Sequence, residues 1–129
     1  MKKNTIIALV IVCLFMGAIA LGIILGNKNE TDMNPNLPTL MEIGSVSCEP
    51  CQKLKPTIDT LKEEYKGRVN VVVYDSWNTQ AGAQKAAEYN ATTVPTLIFL
   101  DRDGTELYRM VGYQEYSTIK NRFTTLGWR

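Results

Sequence analysis

The sequence predicts an α/β protein in which a mixed β-sheet is flanked by helices on both faces. Short runs of β-branched and aromatic residues alternate along the chain with longer stretches whose apolar residues recur at helical spacing. Two of the short runs flank Asp101-Arg102-Asp103-Gly104, whose Asp-Gly pair favours a hairpin turn. The resulting order, β-α-β-α-β-β-α, gives a mixed sheet with helices on both faces.

An uncharged apolar segment precedes these elements. Lys2 and Lys3 lead into Ile6–Leu25, which matches the length of roughly 20 residues that spans a bilayer. Ala18-Ile19-Ala20 has the small-x-small form of a cleavage site, so a cleaved signal peptide is the alternative interpretation. The apolar character continues beyond that site, which favours an uncleaved transmembrane helix as a membrane anchor over residues 1–26.

The positive charges near the N terminus predict how this anchor is oriented. Lys2 and Lys3 favour a cytoplasmic N terminus, since positive residues are enriched on that side. With residues 5–26 in the membrane, we expect a single-pass protein whose C-terminal domain is extracytoplasmic. Residues 27–37 are polar and contain proline, which predicts a tether, and residues 38–129 form the folded domain.

Apolar runs and helical periodicity predict the first three elements of this domain. Thr39–Gly44 predicts a short buried strand that is interrupted by one carboxylate, Glu42. Apolar residues recur at helical spacing through Glu49–Lys66, which predicts an amphipathic helix. Val69–Tyr74 is almost continuously apolar, which predicts a central strand covered on both faces.

The remaining elements follow at short intervals. Thr79–Tyr89 is rich in Ala and Gln and predicts a helix, although Gly82 is a poor helix former. Thr96–Leu100 and Glu106–Val111 predict the two strands of the hairpin, and Glu115–Leu126 predicts a final amphipathic helix.

Composition excludes several kinds of chemistry. The chain has no histidine, which removes Ser-His and Cys-His nucleophile pairs. Its 14 Lys and Arg residues balance 13 Asp and Glu residues without a basic cluster, so no nucleic-acid surface is predicted. Cys13 lies in the apolar segment, which leaves Cys48 and Cys51 as one pair. A zinc site needs four Cys or His ligands, so no metal site is predicted.

The pair stands where the first strand gives way to a helix, in Cys48-Glu49-Pro50-Cys51. A sulfur over the first helical turn meets unpaired backbone N–H groups and the helix dipole, which favour a thiolate. The second sulfur is one turn inside and within disulfide reach. Pro50 fits this placement because proline is tolerated in the first turn of a helix.

Four features together resemble the thioredoxin pattern. They are Cys48-Glu49-Pro50-Cys51, Pro56, Thr93-Val94-Pro95-Thr96 before a strand, and Gly112 after the last strand. The resemblance covers residues 38–129 and implies a thioredoxin-like fold with a redox-active disulfide, Cys48–Cys51, and no other cofactor. Glu-Pro between the cysteines, behind an N-terminal anchor, resembles the extracytoplasmic reductases of bacterial cytochrome c maturation.

The resemblance also implies roles for individual residues. Cys48 corresponds to the attacking thiolate and Cys51 to the resolving thiol. Pro95 corresponds to the family's cis-proline, with the Val94 backbone pairing with a bound substrate. Glu42 takes the position of the buried acid that assists deprotonation of the second cysteine; a partly solvated strand-end glutamate is the alternative. The predicted substrate-binding set is Val94, Pro95, Glu49, Pro50 and Gly112.

Three features depart from the family pattern, and one of them is a stretch from Asp75 to Pro95 that is a few residues longer than in plain thioredoxins. The lysine that thioredoxins carry on the neighbouring strand has no counterpart in Val69–Tyr74, and Val46-Ser47 replaces the tryptophan before the first cysteine. Trp77 is interpreted as a hydrophobic plug at a strand end, with a partner contact as the alternative.

These features predict a membrane-tethered thiol-disulfide oxidoreductase that reduces disulfides of exported proteins and receives electrons from a membrane donor. Glu49 favours a reductant, because a carboxylate near Cys48 destabilises the thiolate and lowers the reduction potential. A disulfide oxidase or isomerase is one alternative. A Cu(I)-delivery module is another, since two thiolates can hold this soft ion.

Overall fold

The computed structural model describes residues 2–24 and 33–129. Contacts divide the chain into two units, Met1–Met33 and Asn34–Arg129. The first unit contains helix α1, Lys2–Ile24. Among the described residues, no helix meets the combined length and apolarity needed to cross a membrane. The end of the predicted anchor and half of the predicted tether, residues 25–32, lie outside the described residues.

The second unit contains a mixed four-stranded sheet with helices on both faces, so the predicted order of seven elements is confirmed. Strand β1 pairs in parallel with β2 and antiparallel with β3, and β3 pairs antiparallel with β4, giving the order β2-β1-β3-β4. The strands are β1 Thr39–Gly44, β2 Asn70–Asp75, β3 Thr96–Leu100 and β4 Glu106–Val111, and the helices are α2 Glu49–Glu64, α3 Gln80–Glu88 and α4 Tyr116–Thr125.

The prediction that Val69–Tyr74 forms a central strand is wrong. In the sheet that the structure describes, β2 is an edge strand with β1 as its neighbour, and Val73 is 52% exposed. Val71 and Tyr74 pack into cores on opposite faces, which explains the apolar run. The central strands are β1 and β3, which are buried throughout.

Alternation along β1 places its side chains in two separate cores. Leu40 belongs to a cluster that includes residues of α2 and α4, whereas Met41 and Ile43 belong to a cluster on the opposite face. Glu42 therefore points to the same face as Leu40, toward the side covered by α2. A single carboxylate is thus placed in an otherwise apolar layer of the sheet.

Gly82 allows α3 to approach the end of β2 closely. A Cβ at this position would lie 2.0 Å from the carbonyl oxygen of Asp75, so no other residue fits without moving backbone. Thr79 caps the helix by accepting a hydrogen bond from the Gly82 N–H at 3.0 Å. The glycine that weakened the helical prediction is therefore required for packing.

Candidate active site

The cysteine pair lies at the N terminus of α2, as its spacing predicts. Cys48 is the N-cap residue and has extended backbone angles, and its sulfur accepts a hydrogen bond from the Cys51 N–H at 3.3 Å. The two residues are joined by a disulfide, with their Cα atoms 5.2 Å apart. Pro50 occupies the first turn without loss of a helical hydrogen bond. The site is therefore in its oxidised form.

Exposure does not distinguish the two cysteines in this form. Cys48 and Cys51 are each 5% exposed. The Cys48 sulfur lies 3.8 Å from the carbonyl oxygen of Val94, so the segment before β3 stands against it. What distinguishes the two cysteines is their surroundings, because Cys48 meets the Val94 backbone and Cys51 faces a charged groove.

Three of the predicted substrate-binding residues are linked through their backbones, two by a peptide bond and the third by a hydrogen bond. The Val94–Pro95 peptide bond is cis, in line with the resemblance, and Pro95 is fully buried. The Gly112 N–H donates a hydrogen bond to the Pro95 carbonyl at 2.7 Å. Gly112 has a φ of 84°, a conformation that favours glycine. The structure thus brings Val94, Pro95 and Gly112 together, with the Val94 carbonyl beside Cys48.

Glu49 and Pro50, the other two predicted substrate-binding residues, are exposed on the first turn of α2. The Glu49 carboxylate forms an ion pair with Lys53, Oε1 to Nζ 2.9 Å. The predicted lowering of the reduction potential assumes that the charge of Glu49 is unpaired. A cation one turn away offsets part of its effect on Cys48, so its influence on the potential is smaller than an unpaired carboxylate would give.

Glu42 is buried beside the second cysteine. It is 3% exposed, which excludes the alternative of a partly solvated strand-end residue. The pKa of Glu42 is raised to about 7, mainly by burial and to a smaller extent by the negative charge of Asp59, against the lowering effect of Lys55. An ideal Cβ built on Gly44 would lie 2.8 Å from Glu42 Oε1 and 3.4 Å from Cys51 Sγ. The acid and the sulfur therefore flank one small space.

A groove of about 310 Å³ connects this acid and sulfur to charged residues of α2. Glu42 and Cys51 line it together with Lys55 and Asp59, which form an ion pair, Nζ to Oδ2 2.5 Å. Sequence reasoning missed this pair. The available signal was the spacing, because residues 51, 55 and 59 recur every four positions and share one stripe of the helix.

Asp75 ties the loop before Cys48 to the loop after β2. Its carboxylate accepts hydrogen bonds from the N–H groups of Val46 at 3.4 Å and Trp77 at 3.2 Å, and from the Asn78 backbone and side chain. Burial raises the pKa of Asp75, but these hydrogen bonds outweigh that effect and the net pKa is lowered. Asp75 therefore remains ionised and holds both loops.

Two apolar side chains are exposed on the loops that Asp75 joins. Val46 is 70% exposed and Trp77 is 61% exposed. The interpretation of Trp77 as a hydrophobic plug is therefore wrong, because its side chain is not packed into the core. Both residues belong to loops near the dithiol, so both are available to a protein that approaches Cys48.

Within residues 2–24 and 33–129, no group of three or more His, Cys, Asp or Glu side chains is arranged to hold a metal ion.

A mixed sheet with a cis-proline loop facing a disulfide at a helix N terminus defines a thiol-disulfide exchange domain. Residues 31–125 match the family model described as a thioredoxin-like domain, and the chain belongs to that family. The chain is a thiol-disulfide oxidoreductase whose redox-active disulfide is Cys48–Cys51, and proteins of this family need no external cofactor.

Individual relatives agree with this assignment. The chain is 32% identical over 87 residues to thioredoxin of Pyropia yezoensis, covering 67% of this chain and 78% of that protein. It is 32% identical over 83 residues to the chloroplastic thioredoxin-like protein HCF164 of Arabidopsis thaliana, covering 64% of this chain but only 31% of the relative. The crystal structure of oxidised thioredoxin O2 from Arabidopsis thaliana superposes with a TM-score of 0.61 at 23% identity, covering 73% of this chain and 77% of that one, and shows the same fold.

Proposed function

We propose that this chain is a membrane-tethered, extracytoplasmic reductase of disulfides in exported proteins. The observation that carries the proposal is the placement of the dithiol, with Cys48 against the Val94 backbone and Cys51 beside the buried acid Glu42. This arrangement gives the two sulfurs different tasks. Cys48 meets the substrate, and Cys51 completes the reaction inside the protein.

In the first step, the Cys48 thiolate attacks a substrate disulfide. A bond forms between Cys48 Sγ and one substrate sulfur, and the other substrate sulfur leaves as a thiolate. The N-terminal turn of α2 favours the attacking thiolate through its N–H groups, of which the Cys51 N–H already points at the sulfur at 3.3 Å. The Val94 carbonyl beside Cys48 is placed to accept a backbone hydrogen bond from the substrate segment.

In the second step, Cys51 resolves the mixed disulfide. Its thiol gives a proton to the Glu42 carboxylate, and the resulting thiolate attacks Cys48 Sγ. The Cys48–Cys51 disulfide forms as the bond to the substrate breaks, and the substrate leaves as a second thiolate. The substrate has gained two electrons, and Glu42 returns its proton to solvent. A membrane electron donor must then reduce the disulfide for the next cycle.

The direction of electron flow is supported by the absence of a cation-bearing residue between the cysteines, where Glu49 stands instead. Equilibration of the full chain with thiol-disulfide buffers of known potential tests it. We expect a midpoint near the thioredoxin value of about −270 mV and efficient reduction of insulin disulfides. A midpoint above about −180 mV would assign the protein to the isomerases or oxidants instead.

The tethering is supported by the sequence of residues 5–26, which carry no charged side chain and follow Lys2 and Lys3. We test it with a membrane-impermeant thiol reagent applied to intact cells that express the Cys13→Ser variant. Labelling of Cys48 and Cys51 after reduction, together with recovery of the chain in the membrane fraction, is expected. Labelling only after lysis would contradict an extracytoplasmic domain. The further resemblance to reductases of cytochrome c maturation is tested by loss of covalent haem attachment to exported cytochromes in a deletion strain.

A further inference from the structure

The groove beside Cys51 contains charges that the proposed reaction has not yet used. Lys55 and Asp59 lie one and two turns beyond Cys51 on α2, and both line the groove that contains Glu42. They pair with each other at 2.5 Å, and their side chains are 71% and 60% exposed. Both charged groups therefore face solvent and act electrostatically on the buried carboxylate of Glu42.

The other surroundings of Glu42 carry little charge. On β2 its neighbour in register is Val73, and on β3 its neighbour is Leu97, both of which are uncharged. Asp75 lines the groove at the end of β2 and is occupied by hydrogen bonds to the adjoining loops. Among the described residues that line the groove, Lys55 is the only cation. It is thus the residue placed to offset the carboxylates around Glu42.

We propose that Lys55 and Asp59 act through Glu42 on the resolving step, so that these two residues set the pH range in which Cys51 completes the reaction. The inference rests on the thiol-disulfide exchange proposed above. Lys55 supplies, from the helix, a cation that β2 lacks at Val73. Asp59 opposes it, so the two residues act on the pKa of Glu42 in opposite directions.

These opposite effects make the proposal testable, because removal of either partner leaves the other to act alone. In Lys55→Met the long apolar stem remains but Asp59 acts alone, which makes the Glu42 carboxylate harder to form. In Asp59→Asn the shape remains but Lys55 acts alone, which makes the carboxylate easier to form. A merely structural role would impair both variants in the same direction, whereas the proposal requires opposite shifts.

The experiment follows the two chemical steps of the reduced full chain with an aromatic disulfide whose thiolate product is coloured, in a Cys13→Ser background so that only the dithiol reacts. Attack by Cys48 releases the first thiolate at a rate that depends on reagent concentration. Resolution by Cys51 releases the second at a rate that does not. We expect the pH midpoint of the second phase to rise by roughly half to one unit in Lys55→Met and to fall by a similar amount in Asp59→Asn. The double variant should return close to the wild-type midpoint.

A matched control and a second readout complete the test. Lys62→Met removes an exposed lysine from the same helix outside the groove, and it should leave the midpoint unchanged. Carboxyl NMR of the oxidised chain should show the Glu42 titration moving in the same directions as the kinetic midpoint. Added salt should bring the two single variants together, since exposed charges are screened.

Equal midpoints in all variants, or shifts of both single variants in one direction, would overturn the inference even if the NMR titration moves. A wild-type chain that never releases the second thiolate would instead contradict the proposed function, and this inference with it.

Discussion

No side chain separates the Glu42 carboxylate from the Cys51 sulfur, because the residue between them is Gly44. The point where a Cβ would stand on Gly44 lies within 3.4 Å of both groups. A buried acid and the sulfur that must lose a proton thus face the same small space. This arrangement supports the proposed role of Glu42 as the base for the resolving step.

Glu42→Gln should slow release of the second thiolate by roughly ten- to hundredfold and leave the first nearly unchanged, since a positioned base acts only when Cys51 must ionise. In the wild type the second step should weaken as the pH falls through about 7, where Glu42 becomes protonated. The two-phase assay with an aromatic disulfide measures both steps. A second phase with the wild-type rate near pH 7 would reduce Glu42 to a structural residue.

The same burial predicts how stability depends on pH. The folded state raises the pKa of Glu42 from 4.5 to about 7, so the fold favours the protonated acid. This contribution is present below about pH 4.5 and is lost as the pH rises through about 7. At about 1.4 kcal/mol per pH unit it corresponds to roughly 3 kcal/mol.

Urea unfolding of the oxidised chain and of Glu42→Gln at pH 4.5 and pH 8 measures this contribution. The variant should gain stability relative to the wild type by roughly 3 kcal/mol between the two pH values. A difference that does not change with pH would show that the folded protein does not perturb this carboxyl group.

The two cysteines should behave differently when each is replaced. Cys51→Ser leaves Cys48 at the helix N-cap beside Val94, so mixed disulfides with substrates should accumulate. Cys48→Ser leaves Cys51 as the one cysteine of the site, beside the buried acid and the groove, so few adducts should form when both variants also carry Cys13→Ser. Non-reducing gels of whole-cell extracts compare the two variants. Equal trapping by both would remove the assignment of attacking and resolving sulfurs.

Trp77 is predicted to contact protein substrates. Trp77→Ala should raise KM for insulin reduction by roughly five- to thirtyfold, because an exposed aromatic side chain at an interface contributes about 1–2 kcal/mol. Reduction of a small aromatic disulfide should not change. Leu107→Ala, which removes an exposed apolar residue of β4, serves as the control and should affect neither substrate. An equal loss with both substrates would indicate a disturbed site instead of a lost contact.

Glu49 and Lys53 should shift the reduction potential in opposite directions. Glu49→Gln removes a negative charge near Cys48 and should raise the midpoint, whereas Lys53→Gln should lower it. Because both side chains are largely exposed and therefore screened by solvent, each shift should be roughly 10–20 mV, less than the 30 mV that one pKa unit would give. Equilibration with glutathione buffers measures both variants. Shifts of the same sign would contradict an electrostatic role for the pair.

The sequence was sufficient for the chemistry that depends on local pattern. Cys48 and Cys51 are placed by a strand-to-helix junction with Pro50 in the first turn, and such a junction is visible in a short window of residues. Glu42 was recognisable because a lone carboxylate in an apolar strand needs a partner or a role. These predictions needed no knowledge of which elements are neighbours.

Predictions that depended on neighbours were less successful. The apolar run of β2 reports that both faces are covered, but it does not report whether both edges are paired, and β2 is an edge strand. The roles of Lys55 and Asp59 depend on which strand lies under that stripe of α2. Helix propensity alone makes Gly82 a weak point of its helix. The structure shows that glycine is needed there because the Asp75 backbone of a different element lies too close for a Cβ. Each of these errors concerns packing between segments that are distant in sequence.

The groove also offers a way to inhibit the protein without competing with its substrates. Its walls include Glu42, Cys51 and Lys55 but not Cys48, Val94 or Pro95. At about 310 Å³ it lies at the lower end of the roughly 300–1,000 Å³ typical of small-molecule sites. A fragment lodged there would leave substrate capture intact and block the proton transfer that follows. Inhibition of that kind lowers the turnover number and is not relieved by high substrate concentrations. It leaves the protein trapped in mixed disulfides with its substrates.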